Sequence, residues 1–300
     1  MVISNWNVRE FLQKLKRYSR SAARHAALTI LAQVAQTKTQ SSLQEHRVQN
    51  LYFHFLPERD TENFLKLIRL LKKEHTFISY SEAVSRIETG EIDRPYLSIS
   101  FDDGFESNVR AAQLLADESI SACFFVCPEM VGKNREYLES HFSGELGNEQ
   151  RMMTWEEIKA LKRNGHEIGS HTMDHSVLAT LPLEKARIQI ESSKAQLEMN
   201  IGETQHFAWP RGRFFHFSDK LAQIVASAGY SSCASAERGA HLAKAFDKYF
   251  CIRRENCVAS WPISHTLYLL GRSVRNGHEN FGQWPDGWKV QNISSSSKDV

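Results

Sequence analysis

A chain of 300 residues with 41% apolar and 24% charged residues has the composition of a globular protein with enough apolar material for a full core. Its net charge of only +2 leaves no electrostatic footprint for nucleic acid. No run approaches the ~18 apolar residues that would cross a bilayer, and Arg and Lys interrupt the place where a signal peptide needs its apolar region, so the expected location is cytoplasmic.

Residues 7–35 read as a helix, with Phe11, Leu12, Leu15, Tyr18, Ala22, Ala26, Ile30 and Val34 at helical spacing and basic residues between them. Such a helix either rests peripherally on an anionic membrane surface or packs on the domain with a solvated basic face, and its alanine-rich stripe favours packing. Residues 36–48 are polar and read as a linker, making 1–48 an extension ahead of a domain over 49–275. Asn50 to Leu56 is a short apolar strand carrying His54. A helix over Glu62–Lys73, a short strand near Phe77 and Ile78, and a helix over Ser81–Ile87 follow. Tyr96 to Phe101 is a strand in which Leu97, Ile99 and Phe101 alternate with Ser98 and Ser100, and it ends in Asp102-Asp103-Gly104.

The alternation then continues. Ser107–Asp117 is helical, Ser121–Cys127 is a buried strand, and residues 128–150 form a long polar loop. Thr154-Trp-Glu-Glu157 is a capping box opening a helix that Gly165 stops. His166–His171 is a strand, Leu183–Met199 a helix, His206–Gly212 a strand ending in a turn, and Ser218–Ala228 a helix. Strands follow at Tyr230–Cys233 and Tyr249–Ile252, and from about Asn276 the periodicity is lost and the tail reads as irregular. Strands alternating with helices, seven or eight in number, predict an α/β fold closed into a barrel rather than an open sheet. The five cysteines lie mostly in apolar stretches, which suits reduced core thiols better than a disulfide framework.

Two stretches carry the chemistry. Asp102 and Asp103 are adjacent carboxylates at the end of a strand, where α/β proteins place their sites, and their repulsion calls for a cation or a shared proton. Taken alone, Asp-Asp-Gly is equally a solvated turn. His171-Thr-Met-Asp-His175 also follows a strand, and an H-x-x-x-H spacing puts both imidazoles on one face of a helical turn. Two histidines and one aspartate make an open three-ligand site of the kind catalytic divalent metals use.

Phe101-Asp-Asp-Gly104 and His171-Thr-Met-Asp-His175 resemble the first two motifs of the polysaccharide deacetylases, the NodB-homology or carbohydrate esterase family 4 enzymes. The resemblance covers about residues 50–275 and implies a deformed barrel of seven or eight β/α units with an N-terminal helical extension. It makes Asp102 the catalytic base and Asp103, His171 and His175 the ligands of a divalent metal, zinc first, with cobalt and nickel as the other candidates. Two motifs depart from the usual pattern: Phe207-Ala-Trp-Pro-Arg-Gly212 lacks the arginine ahead of its proline, and no late Leu-x-His supplies a general acid. Both departures resemble the circularly permuted branch acting on poly-N-acetylglucosamine and related exopolysaccharides. There the acid histidine stands near the N-terminus, a place that Leu51-Tyr-Phe-His54 fits, with a satisfied core histidine as the other reading of His54.

The same resemblance gives Arg254, and after it Arg253, the task of orienting the Asp102 carboxylate. It puts Trp209, Pro210 and Gly212 beside the substrate, Trp209 as a stacking platform for a sugar together with the 128–150 loop, or else as a core residue. The implied reaction is metal-dependent hydrolysis of N-acetyl groups from N-acetylhexosamine units of a bacterial exopolysaccharide, capsule or lipid-linked precursor. Two rivals stand beside it: the same metal chemistry on a small non-sugar amide, and a non-catalytic carbohydrate-binding member of the family.

Overall fold

The computed structural model describes residues 22–142, 146, 149–242 and 251–280, with side chains as far as 277. Nine strands share one sheet: β1 (Arg47–Phe53), β2 (Thr76–Phe77), β3 (Pro95–Phe101), β4 (Ala122–Val126), β5 (Glu167–Ser170), β6 (His206–Ala208), β7 (Ser232–Ala234), β8 (Cys251–Ile252) and β9 (Arg254–Asn256). Every pairing between them is parallel, in the order β8-β7-β6-β5-β4-β3-β1-β9, with β2 on the flank of β3. β8 and β9 are separated only by Arg253, so one bent strand pairs with β7 on one side and β1 on the other. That closes a nearly complete seven-stranded barrel, a deformed β/α barrel in which the β/α order demanded right-handed parallel crossovers.

Strand alternation sorts the side chains. Leu97, Ile99, Phe101, Phe124 and Val126 face outward into one cluster with Phe64, Leu67, Ile68 and Leu71 of α3 (Thr61–Lys72) and Leu115 of α5 (Ser107–Asp117). Burying a handful of such side chains contributes about 1.5–3 kcal/mol each. The alternate residues point into the barrel, where Cys123, Phe125, Ala208, Ala234 and Ile252 meet Tyr80, Ala83, Val84 and Ile87 of α4 (Tyr80–Thr89). α4 thus closes the end where strands begin. Ser98 and Ser100, the polar positions of β3, are fully buried inside the barrel rather than solvated.

The N-terminal region corrects three expectations. Residues 22–34 are helical (α1), but Ala22, Ala26, Ile30 and Val34 are exposed; Leu28 and Ala32 on the neighbouring face dock against Tyr268 and Leu269 of α10 (Ile263–Asn280). Helical spacing identifies an amphipathic stripe, whereas the partner selects the face, and here α10 selects the one carrying leucine. Phe11, Leu12, Leu15 and Tyr18 lie outside the described residues. The expected linker is instead α2 (Gln36–Leu43), with Thr39, Ser42 and Leu43 buried, followed by β1 from Arg47, so the domain begins before residue 49. At the other end α10 runs to Asn280, past the point where periodicity fades.

The 128–150 loop contains a helix, α6 (Arg135–His141), N-capped by Asn134. The Thr154–Glu157 capping box opens α7 (Trp155–Arg163), and the long helix is α8 (Leu183–Ile201), followed by α9 (Asp219–Ser227). All five cysteines are buried and free. Among the described residues no helix is long and apolar enough to cross a membrane.

Candidate active site

The site lies where the strands end. β3 finishes at Phe101, Asp102 donates its backbone N–H to the carbonyl of Phe53 at the end of β1 (2.9 Å), and the next two residues turn left-handed, Asp103 at φ 75° and Gly104 at φ 88°. Aspartate and glycine tolerate this conformation better than most residues. The turn brings both carboxylates into the same barrel end, 3% and 4% exposed.

Their surroundings differ. Asp102 receives a two-pronged grip from Arg254, Nη1 to Oδ1 at 2.7 Å and Nη2 to Oδ2 at 2.8 Å. Arg254 is fully buried, donates Nε to the Ser235 carbonyl (2.8 Å) and Nη1 to Ser100 Oγ (3.2 Å), and lies over the rings of Tyr52 and Phe125. Burial pulls the guanidinium pKa down, but the Asp102 charge and hydrogen bonds more than reverse this and raise it above its ordinary value. Arg253, the second choice for this task, instead points its Nη1 to the Arg238 carbonyl and sits over Phe214.

Asp103 faces two imidazoles. His171 Nε2 stands 3.4 Å and His175 Nε2 3.2 Å from Oδ1, and the three ligand atoms lie within 4.8 Å of one another. Neither approach has hydrogen-bond geometry, so Oδ1 is buried without a partner. His171 Nδ1 meets the Ala208 carbonyl at 2.8 Å. A carbonyl only accepts, so Nδ1 carries the proton and the Nε2 lone pair is turned toward an anionic oxygen. Positive charge belongs in that gap. Tetrahedral zinc with ligand distances near 2.0–2.1 Å has ligands about 3.4 Å apart, close to the separations seen, and the N–H to a carbonyl is the outer-shell contact that ligating histidines make. The donor set therefore fits a divalent cation. Without one, burial works against charge on both groups, yet the nearby histidines hold Asp103 well below the usual carboxylate range, and the close approach of Asp103 with the charges of both aspartates raises the His171 imidazole.

The H-x-x-x-H stretch is not a helical turn. After β5, Thr172 (φ 65°) and His175 (φ 64°) are left-handed, and Glu129 N–H to the Met173 carbonyl and Met173 N–H to Gln189 Oε1 pin the loop. An isolated turn here has no packing partner to favour helix, and the cross-loop bonds impose another path. The two imidazoles converge all the same, with centroids 5.2 Å apart.

His54 follows β1 directly, half-buried, with Tyr52 at its ring (5.4 Å) and its carbonyl accepting from Asn108 Nδ2 (2.9 Å). It lines a cavity of about 620 Å³ together with Asp102, Asp103, His171 and His175. Trp209 and Gly212 line the same cavity, yet Trp209 is only 1% exposed, its ring stacked on Phe217 at 4.2 Å and its Nε1–H given to the Arg213 carbonyl. The expected sugar platform is a packed wall residue, because its broad face is worth more against Phe217 than against solvent. Pro210 shapes the turn behind it. Gly212 sits so close to Ala236 that a Cβ would come within 2.3 Å of it.

Residues 89–233 match the sequence model of the polysaccharide deacetylase family. No curated protein matches the chain in sequence. The fold is similar to that of IcaB from Ammonifex degensii, at 22% identity and TM-score 0.60 over 75% of this chain and 98% of that one. It is also similar to the Streptococcus pyogenes deacetylase PplD in complex with acetate (17%, TM-score 0.57, 75% and 97%) and to the BpsB deacetylase domain from Bordetella bronchiseptica (16%, TM-score 0.55, 72% and 96%).

Several groups around the candidate site carry no signal in the sequence. Ser100 reads as a solvated strand residue, the Ser235 and Ala208 carbonyls are backbone, and Asn108 looks like any polar residue early in a helix. Arg59, Asp60, Arg211 and Asn256 also line the cavity, and of these only Arg211 lies in a recognisable motif, the Trp-Pro-Arg-Gly turn.

Proposed function

We propose that this polysaccharide deacetylase hydrolyses N-acetyl groups from N-acetylhexosamine units of a bacterial exopolysaccharide, capsule or lipid-linked precursor, with a divalent metal, zinc by preference, held by Asp103, His171 and His175. The observation that carries this reading is the unpartnered, buried Oδ1 of Asp103 facing two imidazole nitrogens, beside a second aspartate whose charge is already answered by Arg254. IcaB, PplD and BpsB, named above, support the substrate class by similarity of fold.

A cation bound there supplies Lewis acidity, lowering the pKa of a water toward ~7 and polarising an acetamide carbonyl. Asp102 accepts the proton of the attacking water. The Arg254 grip fixes both of its oxygens, so it is oriented for this task. His54, at the end of β1 beside the end of β3, gives a proton to the departing sugar amine. The roles of Asp102, Asp103, His54 and Arg254 divide cleanly: one carboxylate to move a proton, one to bind, a histidine to return the proton and an arginine to position. β1 lies between β9 and β3, outside the stretch matching the family model, as does β9 with Arg254. That placement supports a permuted arrangement in which an early strand brings the acid histidine. The cavity walls formed by Phe142 and Leu146 support a part for the 128–150 loop in holding the sugar.

Acetate release from N-acetylglucosamine oligomers by zinc-reconstituted protein tests this. We expect turnover by the wild type, loss of at least about 100-fold in Asp102→Asn, and a fall of about 100-fold or more in His54→Ala. No release despite one metal bound per chain would move the assignment to a small amide or to binding alone. Loss in Asp102→Asn with His54→Ala unaffected would keep the deacetylase and remove the acid.

A further inference from the structure

Arg211 lines the reaction cavity, is exposed, and has no carboxylate paired with it among the described residues. Its neighbours contrast with it. Arg213, two residues on, pairs with Glu237 at 3.0 Å, and Arg254 holds Asp102. Across the mouth Arg59, with a side chain 73% exposed, reaches the adjacent Asp60 only at 3.9 Å. β6, which leads to Arg211, and β1, which leads to Arg59, stand about as far apart around the ring of strands as it allows, so the two guanidinium groups come from opposing walls.

The backbone at Arg211 is held in place. Its φ of 64° is left-handed, which costs an arginine roughly 1–2 kcal/mol. Gly212 is wedged against Ala236, Gly212 N–H bonds the Trp209 carbonyl (3.1 Å), and Ala236 N–H bonds the Gly212 carbonyl (2.8 Å). A strained, over-determined backbone at a cavity wall is a frequent mark of a positioned functional group. The local field agrees: burial, then the charges of Arg211 and Arg213, push the nearby His216 imidazole below its ordinary value.

A neutral acetamido sugar offers these arginines hydroxyl and carbonyl acceptors but no charge to pair with. With a cation among Asp103, His171 and His175, and Asp102 already matched, the cavity carries surplus positive charge, which an anionic substrate group would answer. We propose that Arg211 is an anion-binding specificity residue and that the substrate carries a phosphate or carboxylate close to the acetylated sugar, with Arg59 on the facing lip. This rests on the deacetylase reading above and narrows its substrate class. Guanidinium suits either anion, since its fork matches two oxygens at once.

The test compares kcat/KM for three probes: a neutral N-acetylglucosamine tetramer, a tetramer alternating N-acetylglucosamine with a hexuronic acid, and N-acetylglucosamine 1-phosphate. Wild type, Arg211→Gln, Arg211→Lys and Arg213→Gln are assayed at low and high salt. We expect one anionic probe to exceed the neutral one by about tenfold or more at low salt. The probe favoured identifies phosphate or carboxylate as the source. The ratio should collapse in Arg211→Gln, recover partly in Arg211→Lys and persist in Arg213→Gln. A wild type that prefers the neutral tetramer, or an Arg211→Gln that loses all probes equally, would overturn the proposal while leaving the deacetylase intact. If nothing is hydrolysed, the deacetylase reading fails first, and calorimetric binding of the two anionic probes then decides the proposal. Binding that Arg211→Gln abolishes sustains it, and binding that is absent or unchanged sinks it.

Discussion

At the barrel end where strands begin, Glu167 accepts the backbone N–H groups of Tyr80 (2.7 Å) and Ser81 (3.1 Å) as well as the Ser81 hydroxyl. His206 meets Ser81 Oγ through Nε2 and Ser232 Oγ through Nδ1, both at 2.8 Å. Arg47, fully buried, distributes its donors over Gln49, the Leu43 and Glu45 carbonyls, and His75. At the end where strands finish, the same residue types leave Asp103 Oδ1 orphaned, and Asp103, Thr172, His175 and Arg211 all have left-handed backbone. The charged side chains of the first network, Glu167, His206 and Arg47, are held by several partners each, whereas Asp103 leaves one buried oxygen open toward two imidazoles. The contrast makes opposite predictions for conservative substitutions at the two ends.

The largest effect is expected at Asp103. Asp103→Asn should reduce bound metal from about one per chain to near none and lower acetate release by a thousandfold or more, on the order of magnitude set by losing the cation's chemistry. Metal analysis and acetate release check both halves. A variant that still holds one metal per chain would break the comparison.

Next comes Arg254→Met, which leaves Asp102 buried and unpaired. We expect a cost of about 3–5 kcal/mol, with the double variant Asp102→Asn/Arg254→Met recovering much of it. Arg254→Lys keeps the charge without the fork and should fall between wild type and Arg254→Met in both melting temperature and turnover. Additive losses in the double variant would mean that the pair is not the unit of stability the geometry describes.

The difference between the two ends also governs what was legible in the sequence. Asp102, Asp103, His171 and His175 stand in two short motifs at strand ends, and the alternation of strand and helix announces the barrel that brings them together. His54 and Arg254 were legible only through the order of elements, since one precedes and the other follows the rest. What sequence could not show was satisfaction. Ser98 and Ser100 look solvated because polar residues usually are, yet the closed barrel buries them against Asn50 and Arg254. Trp209 looks like a platform because the identity of its stacking partner, Phe217, depends on a turn eight residues long in the chain but tight in space. The helical reading of His171–His175 failed for a related reason, because a hydrogen bond from Glu129 N–H and another to Gln189 Oε1, both remote in sequence, set that loop. Likewise the face on which α1 packs was fixed by α10, more than two hundred residues away.

Glu167→Gln is expected to give the smallest of the three effects, and it probes the other end. Burial raises a carboxyl's pKa, but the bonds from His206 and Ser81 outweigh it and hold Glu167 below its ordinary value of 4.5. A carboxylate depressed in this way contributes stability that is fully present above the unfolded value and is lost as pH falls through the lower folded value. The variant should therefore melt lower than wild type near neutral pH, by an amount corresponding to about 1–3 kcal/mol, and the two curves should converge as the solution is acidified below about pH 4.5. Its kcat and metal content should match wild type, since the barrel interior separates Glu167 from Asp103. Melting temperatures from neutral to acidic pH, with acetate release alongside, make the measurement. A melting difference that persists into acid would show that the amide disturbs packing rather than charge, and a loss of turnover would show that the closed network at one end of the barrel supports the open one at the other.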